Sequence, residues 1–322
     1  MNNSENRIIF NTWSGAFFDP GGGELQLRKS KEFLEKSGFE ISLYDQWSPQ
    51  KDFKIFHQFS ICPGIEHPLK AYKQRGAKVA LSTIMWTIPD SLEFQSRVKE
   101  VFQLSDILFT NSDLESKRLS DFFSIPIEKF HKTRNGISKE FLDKKTSFNF
   151  KEKFNIKNGF VLSVANIDQR KNTHTLLNSC KKLGLQLVTI GHVRDHEYFK
   201  SFKQNYDQYI HFGPIEDAEV LKSAYQQCDL FALPSICETP GIAALEAGSQ
   251  GAKIVITDQG STREYFKDEV TYTSPFQEED VIKAMSKEFS IQRSTALSEK
   301  INKNYTWRHA AKDIKEGYKK IL

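Results

Sequence analysis

The sequence predicts an α/β fold with two doubly wound parallel sheets, and three observations support this. Over nearly all of the 322 residues, short apolar, β-branched runs alternate with segments of helical periodicity. The length suits two ordinary domains of about 150 residues each. A polar, lysine-rich segment, 139–159, separates two halves that share the pattern. We therefore predict an N-terminal domain at 1–150 and a C-terminal domain at 151–322.

The first half is predicted to contain five strands with helices between them. The predicted strands are 8–11, 40–44, 53–57, 78–81 and 107–110. The predicted helices are 24–37, 68–75, 91–104 and 114–122. Strands separated by helices of this length are typical of βαβ units, in which the strands run parallel.

The second half repeats this order and ends in one more helix. The predicted strands are 160–164, 186–190, 209–212, 230–233 and 253–257. The predicted helices are 173–183, 197–206, 219–227 and 241–251. The last helix, 306–322, has apolar residues at helical spacing and can pack back on the N-terminal domain. Two such sheets predict an interdomain cleft, with ligands at the carboxyl ends of the strands.

Composition excludes several classes of protein. The net charge is +4 and the lysines are spread along the chain, which argues against a nucleic-acid partner. No apolar run is long enough to span a bilayer, and the N-terminus does not resemble a signal peptide, so we expect a cytoplasmic protein. Peripheral contact with the inner face of the membrane stays open. The four cysteines show no C-x-x-C spacing, which argues against a zinc site, and no metal is expected.

The stretch "SICETPGIAALEAGSQGAKIVITDQG", at 235–260, contains two glutamates eight positions apart. Glu238 is predicted in a loop at the carboxyl edge of the sheet, and Pro240 at an early helical position. Gly241 has no Cβ and lets a ligand approach, while its amide and that of Ile242 favour phosphate at the helix start. Glu246 lies about one and a half turns further on, where its carboxylate can receive the vicinal hydroxyls of a ribose. These elements suit a sugar joined to a nucleoside diphosphate.

A simpler interpretation is that "ETPG" only starts a helix. Small and apolar residues flank Glu246, however, so its helix is expected to be buried on most sides. A buried carboxylate needs partners, and this favours the functional interpretation.

The segment 212–266 resembles the C-terminal signature of retaining glycosyltransferases of family 4, which have the GT-B fold of two Rossmann-like domains. The resemblance implies that the N-terminal domain is the acceptor side and the C-terminal domain the nucleotide-sugar donor side. The match extends over about fifty residues and includes Pro234, Ser235, Glu238, Gly241, Glu246, Ala247, Gly251 and Glu264. Upstream, "SVANIDQRKNTHTLL" resembles the strand, loop and helix of the family that carry a basic pair. The chain contains no D-x-D, which argues against the other large glycosyltransferase fold, whose metal site uses that motif.

The resemblance implies a role for each matching position. Glu246 should bind the ribose hydroxyls of the nucleotide, and Glu238 the hydroxyls of the transferred sugar. Amides around Gly241 and Ile242 should hold the diphosphate or the sugar. Lys171, supported by Arg170, should neutralise the departing diphosphate, because fixed cations placed where negative charge develops lower the barrier. For Lys171, the alternative is an ordinary solvated lysine.

Further contacts are implied at other strand ends. Gly191 and the 213–215 turn, with Ile215, should lie near the base. In the N-terminal half, "DPGGGELQL" resembles the glycine loop of the family, and Gly22 and Gly23 are the expected phosphate contacts. A plain flexible loop remains the alternative for this segment.

The sequence departs from the family at two places. Asn166 stands where the family often has an arginine, so Arg170 and Lys171 would have to compensate. The segment 81–90 lacks the histidine that often faces the donor sugar, and Thr83 or Trp86 would fill its place. The side chains of Trp13, Trp47 and Trp86 could stack on a glycan, although aromatic residues in so Phe-rich a chain more often belong to a core.

The predicted function is therefore a retaining, metal-independent glycosyltransferase without a cofactor. It would move a sugar from a nucleoside diphosphate sugar to a glycan or lipid-linked acceptor in bacterial surface polysaccharide or glycolipid biosynthesis. Two alternatives stay open. One is a catalytically silent GT-B subunit that binds a partner or a glycan. The other is a sugar-nucleotide epimerase of the same fold.

Overall fold

The computed structural model describes residues 6–85, 87–292 and 294–322, so Trp86 lies outside the described residues. The chain divides by its contacts into two compact units, Met1–Asn135 with Trp307–Leu322, and Gly136–Thr306. This division falls ahead of the predicted boundary near residue 150. The reason is that 136–150 contributes Phe141 and Phe150 to the core of the second unit.

The first unit contains a six-stranded, all-parallel sheet in the order β2-β1-β3-β4-β5-β6. Its strands are β1 (Arg7–Asn11), β2 (Glu40–Leu43), β3 (Ile55–Phe59), β4 (Lys78–Ser82), β5 (Ile107–Thr110) and β6 (Phe130–Lys132). Its first four helices are α1 (Gly22–Glu35), α2 (Glu66–Gln74), α3 (Leu92–Leu104) and α4 (Asp113–Phe123). The α/β prediction is confirmed here, but β3 lies two residues later than predicted, and β6 was missed.

The second unit also contains a six-stranded, all-parallel sheet, in the order β12-β11-β10-β7-β8-β9. Its strands are β7 (Phe160–Val164), β8 (Gln186–Ile190), β9 (Tyr209–Phe212), β10 (Leu230–Leu233), β11 (Ile254–Thr257) and β12 (Thr271–Thr273). Its helices are α5 (Phe150–Lys153), α6 (Thr173–Leu183), α7 (His196–Phe202), α8 (Ala218–Gln227), α9 (Ile242–Ser249), α10 (Thr262–Phe266), α11 (Glu278–Ser290) and α12 (Ala296–Asn304). The prediction missed β12, α5, α10, α11 and α12, and it placed the end of α7 four residues too late.

The last helix, α13 (Trp307–Tyr318), packs on α1 and β5 of the first unit. Gly317 lies so close to the sheet that an added Cβ would stand 2.3 Å from Cε1 of Phe109. Next to it, the Tyr318 hydroxyl lies 2.5 Å from Nδ1 of buried His57 on β3. Replacing Gly317 by any residue with a side chain, or Tyr318 by a residue with a shorter side chain, would disturb this packing.

Each sheet has a point at which the strand order reverses. In the second sheet the chain moves outward from β7 through β8 to β9, and from β10 through β11 to β12, so the reversal lies between β7 and β10. In the first sheet it lies between β1 and β3. Ligands of doubly wound folds bind outside the carboxyl ends of the strands at such points. Among the residues that the structure describes, no helix has the length and apolarity needed to cross a membrane.

Candidate active site

The loop after β7 carries the predicted basic pair. Gln169–Lys171 form a 3-10 turn, and Oδ1 of Asp168 accepts a hydrogen bond from the Lys171 N–H at 3.0 Å. Asn172 then adopts a left-handed conformation with φ 57°, which asparagine tolerates better than most residues. This turn directs the Lys171 side chain at a fixed point of the carboxyl edge.

Two contacts join this loop to the loop after β10, across the reversal of the strand order. The Ile236 N–H donates to the Arg170 carbonyl at 2.8 Å. Nδ2 of Asn172 donates to the Pro234 carbonyl at 3.1 Å. The two loops are therefore held in register by a backbone hydrogen bond and by the side-chain amide of Asn172.

A third loop fixes the backbone of Glu238. The Glu238 N–H donates to the Gln259 carbonyl at 3.2 Å, and the Ser261 N–H donates to the Glu238 carbonyl at 3.0 Å. Between them, Gly260 has φ 98°, and an added Cβ would lie 2.1 Å from the Glu238 carbonyl oxygen. Only glycine fits there, because both the conformation and the space exclude a side chain.

The carboxylate of Glu238 forms an ion pair with Lys171. Nζ of Lys171 lies 2.5 Å from Oε1 of Glu238, and the two side chains are only 15% and 7% exposed. Removing one partner from so buried a pair would leave an uncompensated charge, so the arrangement holds both groups in place. Oε2 of Glu238 lies 3.6 Å from where a Cβ of Gly241 would stand. Lys171, Glu238 and the start of α9 therefore form one cluster, as the sequence predicted for these positions.

The helix α9 begins at Ile242, with Gly241 as the residue before it at φ 86°. Pro240 follows a cis peptide bond and lies outside the helix, so its predicted early helical position was wrong. The first amides of a helix have no intrahelical partner, and its N-terminus carries a partial positive charge. An anion at this end would meet both the amide of Ile242 and that charge.

Glu246 is buried, as expected, and lies about one turn into α9, which begins at Ile242. Its Oε2 accepts a hydrogen bond from the Tyr225 hydroxyl of α8 at 3.0 Å. Burial and the adjacent Glu246 carboxylate raise the pKa of Tyr225 well above its usual range, so the phenol stays a donor. Glu246 lies five positions after Gly241, roughly 7.5 Å of helix rise. The structure thus gives Glu246 an orienting partner that sequence reasoning missed.

Arg170 is half exposed, and its Nη2 lies 3.6 Å from Oδ2 of Asp168. An ion pair this exposed to water contributes little to stability.

Asn166 has an unexpected neighbour. In the amide orientation that satisfies both groups, its oxygen accepts from Nε and Nη2 of Arg194 at 2.9 and 3.2 Å. A guanidinium from the loop after β8 thus reaches the position where the sequence lacks an arginine. No local pattern could reveal it, because the contact depends on β7 and β8 being neighbours.

Two further predicted residues lie at the ends of β8 and β9. The Gly191 N–H donates to the Phe212 carbonyl at 3.2 Å, and an added Cβ would stand 2.1 Å from the Ala165 carbonyl oxygen. This glycine is therefore required for packing, and a contact with a base would use its carbonyl. Ile215 lies in the loop before α8 and packs partly buried on the core. The roles of Gly191 and Ile215 at the base stay predictions.

Gly22 and Gly23 lie in the first unit, as the first two residues of α1. The Glu24 carboxylate already lies at this helix start, where Oε2 accepts from the Gly21 N–H at 2.8 Å. A phosphate at the same end would have to tolerate that negative charge. The predicted phosphate contact of Gly22 and Gly23 therefore has an internal competitor.

Thr83, in the loop after β4, makes its contacts within the fold. This threonine is buried, and its hydroxyl donates to Oε1 of Glu115 at 2.7 Å. In residues 6–85, 87–292 and 294–322, no group of three or more His, Cys, Asp or Glu side chains could hold a metal ion. Metal independence stays a prediction.

Comparison with known proteins now identifies the family. Residues 144–307, half of the chain, match the family described as glycosyl transferases group 1. The chain belongs to the group 1 glycosyl transferases. The matched residues carry Lys171, Glu238 and Glu246, so the cluster lies within the part that defines the family.

Similar curated proteins are distant in sequence. The serotype-specific mannosyltransferase WbdA of Escherichia coli is 22% identical over 256 residues, which cover 73% of this chain and 31% of that protein. An uncharacterized glycosyltransferase of Methanocaldococcus jannaschii is 24% identical over 177 residues, 51% of this chain and 45% of that protein. The chain thus spans about a third of the length of the mannosyltransferase it matches.

Solved structures match along the whole chain. Sucrose-phosphate synthase of Thermosynechococcus elongatus has a TM-score of 0.81 at 14% identity, covering 98% of this chain and 99% of that one. HepE of Anabaena, solved with UDP-glucose, has a TM-score of 0.76 at 15% identity, with coverage of 98% and 99%. At these identities the likeness shows the fold alone, and that fold is GT-B, as the resemblance implied.

Proposed function

We propose that the chain is a retaining, family 4 glycosyltransferase that uses a nucleoside diphosphate sugar and a hydroxyl acceptor. The observation that carries this proposal is the buried ion pair between Lys171 and Glu238 beside the start of α9. It puts a fixed cation, a carboxylate and unpaired amides at the reversal point of the second sheet. A diphosphate and the sugar bonded to it need such groups side by side.

In this proposal each group acts on a different part of the donor. Glu246, oriented by Tyr225, receives the ribose hydroxyls, and Glu238 receives hydroxyls of the transferred sugar. The bond between the anomeric carbon and the diphosphate breaks while the acceptor oxygen bonds that carbon on the same face. The departing phosphate oxygen takes the acceptor proton. Its growing negative charge is stabilised by Lys171 and the α9 amides, without a metal.

The ion pair is compatible with donor binding. A lysine ammonium has three donors, so Lys171 can keep Glu238 and still donate to a phosphate oxygen. The pair therefore holds the cation in position before the donor arrives, and little reorganisation is needed in the transition state.

The relatives support the substrate classes. HepE was solved with UDP-glucose, and WbdA is described as a serotype-specific mannosyltransferase. We extend this to a nucleotide-sugar donor and a glycan or lipid-linked acceptor. A role in the biosynthesis of bacterial surface polysaccharide or glycolipid, at the cytoplasmic face of the membrane, would fit such an acceptor.

Nucleotide-dependent thermal stability tests the proposal. One member of a panel of UDP, GDP, ADP, dTDP and CMP should stabilise the chain by about 2.7 kcal/mol at roughly 100 times its dissociation constant. The variant Glu246→Ala should lose this gain. The matched variant Glu197→Ala, whose side chain is 85% exposed on α7, should keep it.

Two results would contradict the proposal. If no nucleotide raises the melting temperature, the chain does not bind a donor through this site. In the second case a nucleotide binds while its sugar donor is inert. If UDP, GDP or ADP binds but the protein neither transfers nor hydrolyses the glucose or mannose of the corresponding nucleotide-sugar, the silent subunit is favoured.

A further inference from the structure

The Lys171–Glu238 pair has no net charge with which to attract an anion. Nζ of Lys171 lies 2.5 Å from Oε1 of Glu238, so the positive charge of the lysine is compensated before a ligand binds. A diphosphate is an anion, and it gains negative charge as it departs from the sugar. A further cation at this edge of the second sheet would therefore strengthen donor binding.

Arg194 brings a guanidinium to the end of β7 from the neighbouring loop. Asn166 is the second residue after β7, one of the two strands that border the reversal point of the second sheet. Its amide oxygen accepts from Nε and Nη2 of Arg194 at 2.9 and 3.2 Å. Arg194 itself follows β8, which lies one strand further from the reversal point. The contact therefore holds a cation at the edge where doubly wound folds bind ligands.

The backbone on both sides of this contact is also fixed. The Ile167 N–H donates to the His192 carbonyl at 2.7 Å. The Ile167 carbonyl accepts from the N–H groups of Arg194 and Asp195, both at 3.1 Å. The loops after β7 and β8 thus continue to pair beyond the ends of their strands, and this pairing sets the point from which the Arg194 side chain extends.

The chemistry of the contact suits a phosphate-binding arginine. Asn166 is a neutral amide, so its hydrogen bonds position the guanidinium without cancelling the positive charge. A guanidinium also has more donors than one amide oxygen can accept, and its planar fork matches the oxygens of a phosphate. The Arg194 side chain is exposed, so a ligand in solution can reach it.

An exposed arginine is more often only solvated, and that is the alternative interpretation. A solvated arginine keeps the rotamer freedom of its long side chain. Arg194 instead makes two hydrogen bonds to the half-buried amide of Asn166. The ordering of this side chain at a ligand-binding edge favours a role in binding.

We propose that Arg194, positioned by Asn166, is a second phosphate-binding cation of the donor site. The inference rests on the proposed function, since it names a further residue for the same diphosphate. Lys171 keeps its ion pair with Glu238 and donates to the diphosphate, while Arg194 supplies the positive charge that the pair lacks. The ligand class that it recognises is a diphosphate, whichever base and sugar are attached.

Titration of the full chain with inorganic pyrophosphate and with UDP, GDP, ADP and dTDP tests this role. Arg194→Ala should weaken the binding of pyrophosphate and of the preferred nucleoside diphosphate about tenfold. Added salt should weaken these complexes more in the wild-type protein than in the variant. Affinity for the corresponding nucleoside should not change, because it has no phosphate. The matched control is Arg97→Ala, since the Arg97 side chain is 43% exposed on α3 of the first unit.

Moving the charge within the contact separates anion binding from a structural role. The double variant, Asn166→Arg with Arg194→Ala, returns a guanidinium to the end of β7. It should recover most of the lost pyrophosphate affinity. Asn166→Ala keeps the arginine but removes its positioning partner, and we expect a smaller loss of about threefold.

Three results would overturn the inference. In the first, Arg194→Ala binds pyrophosphate and the nucleoside diphosphate as tightly as the wild-type protein does. In the second, affinity for the nucleoside falls equally and the double variant recovers nothing, so Arg194 only shapes the loop. In the third, the wild-type protein binds none of these anions, and the proposed function fails as well.

Other results separate the two proposals. If Glu246→Ala abolishes nucleotide binding and Arg194→Ala leaves it unchanged, the donor site stands and only the role of Arg194 fails. If pyrophosphate binds through Arg194 but no nucleotide binds, the anion site stands and the donor chemistry fails.

Discussion

The carboxyl edges of the two sheets have the same architecture and opposite chemistry. At the reversal point of the second sheet, a lysine and a glutamate are paired at 2.5 Å and almost buried. At the reversal point of the first sheet, Trp13 and Trp47 expose their rings, and the loop residues that line the cavity there, 12–18, 44–47 and 62–65, include only one charged side chain. The shared topology thus predicts where each sheet would bind a ligand, and the loop residues predict the chemical class of that ligand.

The two edges are also organised differently. At the second edge, backbone contacts join loops that follow different strands, such as the contact between Ile236 and Arg170. These contacts between loops set the positions of the charged side chains. The first edge depends on short turns within single loops, such as the one at Gly15. A substitution at the second edge should therefore affect chemistry most, whereas one at the first edge should leave the donor chemistry largely unchanged.

Replacing Lys171 should have the largest effect. In Lys171→Ala the departing diphosphate loses its fixed cation, and we expect donor turnover to fall by about 100- to 1,000-fold. Turnover should be followed as hydrolysis or transfer of the donor that the nucleotide panel identifies. Lys200→Ala is the control, because the Lys200 side chain is 62% exposed on α7. A fall of less than threefold would assign Lys171 to structure alone, and the melting temperature would show how much stability the unpaired Glu238 costs.

The first unit should be the more acid-sensitive of the two because of His57. Burial lowers the pKa of His57 to about 3, against an ordinary value of 6.5. The unfolded chain therefore takes up a proton below pH 6.5 that the folded chain refuses until about pH 3, so stability falls over that range. Between pH 7.5 and 5 the loss should be about 2 kcal/mol.

Urea unfolding of wild type and His57→Phe at both pH values measures this contribution. Trp13, Trp47 and Trp307 all lie in the first unit, so tryptophan fluorescence reports on it. Equal pH dependence in the two proteins would show that His57 does not cause the acid loss. The lower overall stability of His57→Phe does not affect this comparison, because only the difference between pH values is used.

Much of the fold could be predicted because its signals are local. Strands such as β7, β8, β9 and β10 are apolar runs bounded by helices, and their predicted bounds agree with the structure. The strands β6 and β12 have three residues each, too few to show a pattern. The helix α11 does carry apolar residues at helical spacing, at Val281, Ala284 and Met285, and this signal was overlooked.

The candidate site was predictable where motif and position coincide. Lys171 and Glu238 follow different strands, and their meeting was expected because both strands end at one edge of the sheet. Tyr225 and Arg194 were not predictable, since each reaches its partner from an element that only the tertiary packing brings close. Pro240 was misplaced because proline at the start of a helix and proline just before it look alike in sequence.

Removing the Tyr225 hydroxyl should weaken donor binding without abolishing it. Tyr225→Phe deletes the hydrogen bond to Oε2 of Glu246, so the donor has to order this carboxylate on binding. The loss should not exceed the worth of one bond to a charged group, about 1.5 kcal/mol or roughly tenfold in affinity. Calorimetric titration with the nucleotide that the panel identifies measures the change. Tyr206→Phe, on the loop after α7, should leave it unaltered. Unchanged affinity in Tyr225→Phe would mean that Glu246 is oriented by other groups.

The smallest effect is expected at the start of α1. An added Cβ at Gly23 would meet its nearest neighbour, Cδ1 of Ile84, at 3.6 Å, so Gly23→Ala fits without strain. Replacing glycine by alanine within a helix favours folding by about 0.5–1 kcal/mol. Because the Glu24 carboxylate already lies at this helix start, we expect donor affinity to change by less than about threefold. Titration of Gly23→Ala with the nucleotide-sugar that corresponds to the panel's nucleotide measures this change in affinity. A larger loss would mean that a phosphate approaches Gly23 despite Glu24.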